Sequence, residues 1–161
     1  ALTERRGSGG LVYVSEEPTI FNATIIENIA GIAEAQNIQR AYGAADLIGI
    51  TEFVNTLPYG FDTHMRETGM HESSTGFLQQ INLARAIAQD PAVLMLSDCC
   101  SKLDDAMKAR AVQALRQVSE QISVIAYDPS GAFDRIADQT ISLGVPQRQQ
   151  SLASFIARKA A

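Results

Sequence analysis

The sequence predicts an α/β domain: parallel strands joined by helices, with a small helical region set between the first strand and the rest. Three observations carry this. Short apolar runs read as strands at Leu11-Val12-Tyr13-Val14, Val93-Leu94-Met95-Leu96 and Ile122 to Ala126. The last two are separated by a helical pattern from Asp104 to about Gln121, and strands that alternate with helices imply a parallel sheet. Between Thr24 and about Leu57, by contrast, apolar residues recur only at helical spacing. Short apolar strands of this kind are usually covered on both faces.

Taken in order, Gly7-Ser8-Gly9-Gly10 is a flexible stretch before the first strand. The stripe Ile25, Ile29, Ile32, then Ile38, Ala41, Ala45, Ile48, then Phe53, Val54, Leu57 is broken by Gly31, Gly43 and Gly49, which predicts three short helices. Leu57 to Phe61 and the polar segment Arg66 to Gly76 are expected as loops. Phe77 to Gln89 is expected as a helix that stops before Asp90-Pro91, with the hydroxyls of Ser74-Thr75-Gly76 available to cap its start. After the Ile122 to Ala126 strand come a short helix at Ser130 to Ala137, a strand at Gln139 to Leu143 and a terminal amphipathic helix at Ser151 to Arg158.

A chain of 161 residues suffices for one core, burying roughly two thirds of its unfolded surface. Thirteen Lys and Arg against 18 Asp and Glu give a net charge of -5, which argues against a nucleic-acid surface. No apolar run approaches the ~20 residues of a membrane span. The only cysteines, Cys99 and Cys100, are adjacent, a poor geometry for a disulfide, so packing in a reducing, cytosolic compartment is expected. His64 and His71 stand in polar loops without ligand spacing, and no metal site is expected from them.

Function enters through resemblance. The run Val14-Ser15-Glu16-Glu17-Pro18-Thr19-Ile20-Phe21-Asn22-Ala23-Thr24-Ile25-Ile26-Glu27-Asn28-Ile29 resembles the Q-loop region of ATP-binding-cassette (ABC) exporters, V-S-Q-E-P-x-L-F-x-G-T-I-x-E-N-I. Leu57-Pro58-Tyr59-Gly60-Phe61-Asp62-Thr63 is similar to that family's L-P-x-G-Y-D-T. Ile81 to Ile87 with Asp90-Pro91 resembles the end of its signature helix, and Ser101-Lys102-Leu103-Asp104 its D-loop, S-A-L-D. The match runs from residue 11 to about 143. It implies a partial P-loop NTPase-like (RecA-like) parallel sheet with a small helical subdomain, with ATP and Mg²⁺ as cofactors.

The same comparison marks departures where the family's chemistry sits. The three lysines, Lys102, Lys108 and Lys159, are followed by Leu, Ala and Ala, so no P-loop Lys-Ser/Thr pair exists in these residues. The family places that loop upstream of the Q-loop, where a longer chain would supply it. Leu96-Ser97-Asp98 stands where the Walker B motif has L-D-E, so a neutral Ser97 replaces a magnesium-holding carboxylate. Asp98, one methylene shorter than the usual glutamate, is the candidate catalytic base. Glu16 replaces the Q-loop glutamine and Tyr127 the switch histidine. Ser73-Ser74-Thr75-Gly76-Phe77 stands where the family has L-S-G-G-Q.

By resemblance, the nucleotide-contacting candidates are Glu16, Ser74, Gly76, Ser101, Asp104 and Tyr127, with no protein metal ligand assigned. Ser74 and Gly76 would face nucleotide held by an opposite subunit, as would Ser101 and Asp104 of the D-loop. The groups lost serve the chain's own site, and those kept would complete a partner's. The expected organisation is a flexible segment at 1–10, the Q-loop strand at 11–23, a helical subdomain at 24–90, half of an α/β core at 91–146 and a helix or tail at 147–161. The expected function is a degenerate nucleotide-binding domain of an exporter, on the cytoplasmic face of a membrane. Its partners would be a second nucleotide-binding domain, in a homo- or heterodimer, and a transmembrane domain. An active ATPase in a full-length form, and a soluble interaction module that has abandoned nucleotide, are the alternatives.

Overall fold

The computed structural model describes residues 10–31, 35–66, 75–142 and 154–157. Strand β1 (Leu11–Val14) is followed by helices α1 (Ile25–Ala30), α2 (Ala35–Ile48) and α3 (Thr51–Val54), a 3-10 turn at Gly60–Asp62 and helix α4 (Thr75–Ala88). Then come strand β2 (Val93–Ser97), helix α5 (Asp105–Ser119) and strands β3 (Ser123–Tyr127), β4 (Thr140–Ser142) and β5 (Ser154–Ala157). Three helices are present between Ile25 and Val54, although α2 runs through Gly43 instead of breaking there, and β2, α5 and β3 alternate as predicted.

The sheet has the order β1-β2-β3-β5-β4. Its first three strands are parallel, with Val14 opposite Leu96 and Ser97 opposite Tyr127. The other two depart from an all-parallel sheet, since β5 runs antiparallel to both β3 and β4. Residues 154–157 are thus extended, not part of the expected terminal helix. The open edge of β3 supplies ladder partners that a short Ser-Phe-Ile-Ala segment satisfies by extending.

A second difference lies at Ser130–Ala137, expected as a helix and observed as turns. The Asp128 carboxylate accepts from the Ser130 hydroxyl at 2.7 Å and from the backbone N–H groups of Ser130 and Ala132. Those bonds replace helical ones, and Gly131 takes φ of 73°, outside the helical region.

Burial along the parallel strands alternates. Val14, Leu94, Leu96, Val124 and Ala126 point into the core, where Ala111, Ala114 and Leu115 of α5 are also buried. The opposite face, Leu11, Tyr13, Val93, Met95 and Ile125 in register, is exposed or half-buried, so the sheet is not covered on both faces. The helices α1, α2 and α4 pack together around Ile25, Ile29, Ala41, Ala45, Ile48, Ile81 and Leu83, each at most barely exposed.

Candidate functional site

Parallel strands end together, so the loops after β1, β2 and β3 meet at one edge of the sheet, and three carboxylates are delivered there: Glu16, Asp98 and Asp128. Asp98 has φ of 48°, a left-handed backbone that disfavours most L-residues. It is held there from both sides. Its N–H donates to the carbonyl of Tyr127 at 2.8 Å, and its own carbonyl accepts from the Ser101 hydroxyl at 2.9 Å. Burial, then the charges of Glu16 and Asp128, push the Asp98 carboxyl above its ordinary range, against the opposing pull of Lys102 and Lys108.

Glu16 does not stand free toward the site. Its Oε1 lies 3.4 Å from the ammonium of Lys102, joining the loop after β1 to the loop after β2. Both residues are departures from the family pattern, a glutamate for glutamine and a lysine for alanine, and the structure brings them into one ion pair. Tyr127 ends β3 opposite Ser97, half-buried beside these groups.

Of the candidates assigned to a partner's site, Ser101 sits with Asp98, while Gly76 and Asp104 form a second group. Asp104 caps α5, its Oδ1 accepting from the Met107 N–H at 2.8 Å. Gly76, in the first turn of α4, packs so closely that an added Cβ would lie 3.0 Å from both the Lys102 carbonyl and the Met107 sulfur. Gly76, Lys102 and Asp104 line one open groove of about 590 Å³ with Phe53, Gln80 and Arg110. Lys102 borders both groups. Ser74, and with it the expected hydroxyl cap of α4, lies outside the described residues, as does His71.

Three features were not singled out from the sequence. Asp128 is 2% exposed and fully engaged by its turn. Asn28 is completely buried: its Oδ1 accepts from the Phe21 N–H at 2.8 Å and its Nδ2 donates to the carbonyl of Thr24 at 2.9 Å. Arg85 reaches across from α4 to the carbonyl of Thr19 at 2.7 Å and to Asn28 Oδ1 at 3.1 Å, its guanidinium 4.6 Å from the centre of the Phe21 ring. This network fixes the Thr19-to-Asn28 segment on the helical layer. For Asn28 and Arg85 the signal in the sequence was a polar residue within an otherwise apolar helix.

The cysteines pack as expected: both are buried and unbridged, their sulfurs 4.0 Å apart, and the Cys100 contact and burial push the Cys99 thiol up. Among the described residues no group of three or more His, Cys, Asp or Glu is placed to hold a metal ion.

The ABC-type transporter fsqE of Aspergillus fumigatus is 32% identical to this chain over 123 residues, 71% of the chain and 10% of that protein. The ABC transporter ATP-binding protein YfiB of Bacillus subtilis is 38% identical over 103 residues, 64% of the chain and 18% of that protein. A solved bacterial Atm1-family ABC exporter with ATP bound superposes with a TM-score of 0.69 at 26% identity, over 83% of this chain and 23% of its own. The chain is an ABC-transporter homologue. No family model matches it. It spans roughly a tenth to a quarter of these relatives, matching the nucleotide-binding domain of an ABC exporter. ABC exporters in general use ATP and Mg²⁺, pair two nucleotide-binding domains and work with a transmembrane domain. Among the described residues of this homologue no helix is long and apolar enough to cross a membrane.

Magnesium fits poorly with the donors present. The Ser97 hydroxyl is a weak ligand for a hard dication, both Asp128 oxygens are engaged by their turn, and Glu16 already faces an ammonium.

Proposed function

We propose that this chain is the non-hydrolysing member of a pair of ABC nucleotide-binding domains, coupling to a membrane domain and completing its partner's ATP site. The observation that carries this is the strand-end cluster, where Ser97 replaces a carboxylate and Glu16 is tied to Lys102 at 3.4 Å. A hydrolytic site needs a metal and an oriented water there. Asp98, one methylene shorter than the family's glutamate and with its backbone fixed by Ser101 and Tyr127, is poorly placed to hold the one or orient the other.

Two of the residues assigned to the partner's site remain open to contact. Gly76 and Asp104 line an accessible groove, and Ser74 precedes the α4 N-terminus, where backbone N–H groups favour an anion. In the assembled transporter, Ser74→Ala in this chain should lower steady-state ATPase by about tenfold, the scale of one lost charge-assisted hydrogen bond. Unchanged turnover would overturn the proposal. Calorimetric titration of MgATP into this chain alone should give no binding heat, and saturable binding would instead favour a working site.

A further inference from the structure

The loops after β1, β2 and β3 bring Glu16, Asp98 and Asp128 to one edge, and clustered carboxylates require a compensating cation. In the family this role belongs to magnesium. Here a protein cation is already present: the Lys102 ammonium lies 3.4 Å from Glu16 Oε1, and Lys102 and Lys108 are the two positive charges acting on Asp98. The lysine sits in a loop held by its own hydrogen bonds. The Ser101 hydroxyl donates to the Asp98 carbonyl, the Leu103 N–H donates to the Cys100 carbonyl, and Asp104 caps the helix that follows.

We infer that Lys102 takes the place of the divalent metal at these strand ends, neutralising Glu16 and Asp98 and excluding a metal ion. The pair is partly solvated, with the Lys102 side chain 35% and the Glu16 side chain 49% exposed, so its contribution to folding is small. Its effect on a dication is larger. A tethered positive charge next to the same oxygen repels each of two incoming charges and is never diluted away. Exclusion of the metal by Lys102 does not require the chain to bind or hydrolyse nucleotide.

The test is Mn²⁺ titration of the intact chain, followed by paramagnetic broadening of the carboxylate signals of Glu16 and Asp98. In the wild type these signals should stay sharp at millimolar Mn²⁺. Lys102→Met should tighten Mn²⁺ binding at them by about tenfold or more, and Lys102→Met with Glu16→Gln should remove that gain. Lys102→Arg, which keeps the charge, should behave as wild type. Thermal melts establish that each variant is folded. Broadening that is equal in wild type and Lys102→Met overturns the inference, and so does a Lys102→Met chain that still repels the metal.

Discussion

Asp98 combines a left-handed backbone with a carboxyl whose charged form is disfavoured by burial and by Glu16 and Asp128. An acid whose folded pKa lies above its unfolded value leaves the native state holding more protons between the two, so stability falls as pH rises through that window. Asp98→Asn removes the charge, and Asn tolerates the φ of 48° at least as well. The variant should therefore melt above the wild type at pH 7, and the gain should vanish near pH ~3, where the unfolded carboxyl is also protonated. A gain that persists unchanged at low pH would assign the effect to the backbone alone. Asn28 sets the opposite case. Asn28→Ala leaves the Phe21 N–H and the Arg85 guanidinium without their shared acceptor in a buried site, and should cost about 2–3 kcal/mol in denaturant unfolding.

At the scale of elements, α1 is too short to be stable by propensity and depends on its start. Thr24 accepts from the Glu27 N–H at 3.3 Å, while the Glu27 carboxylate accepts from the Thr24 N–H at 2.8 Å, a complete capping box. Thr24→Ala should destabilise the chain by about 1 kcal/mol. The Thr24 bonds also lower the Glu27 pKa, so their contribution is present above the unfolded carboxyl's pKa and is lost as pH falls through the folded one. Thr24→Ala keeps the backbone bond, the larger cause, and loses only the hydroxyl's bond to Glu27, so its penalty should shrink in acid by that part alone. At α4, Gly76→Ala would drive a methyl against the Lys102 carbonyl, which is backbone and cannot swing aside. It should cost about 1–3 kcal/mol and lower the melting temperature. A neutral Gly76→Ala would mean that the α4 start can move away from the loop before α5.

Across the whole molecule the distribution of apolar surface is lopsided. Leu11 is 60% and Tyr13 58% exposed on a sheet face that Met95 and Ile125 continue, while the other face is closed. An open apolar face on an edge strand favours association. The isolated chain should show concentration-dependent self-association by sedimentation, which Leu11→Gln with Tyr13→Gln should reduce without lowering the melting temperature. Association that the double variant leaves unchanged would place the sticky surface elsewhere.

The sequence by itself determined the α/β class, the three parallel strands, the helical layer and the ABC resemblance, because each is written in local periodicity or in contiguous motifs such as Val14 to Ile29. The turns at Ser130–Ala137 and the strand at Ser154–Ala157 were not legible there. In the first, an Asp128 side chain outbids helical hydrogen bonding, and in the second, a sheet edge far along the chain decides the conformation of a short ambiguous segment. The site divided in the same way. Glu16, Ser97, Asp98 and Tyr127 stood out one by one as departures from a pattern, but a pattern records positions and not distances. Only the tertiary structure set Lys102 against Glu16, since parallel strands bring loops separated by most of the chain to one edge, where their charges must balance.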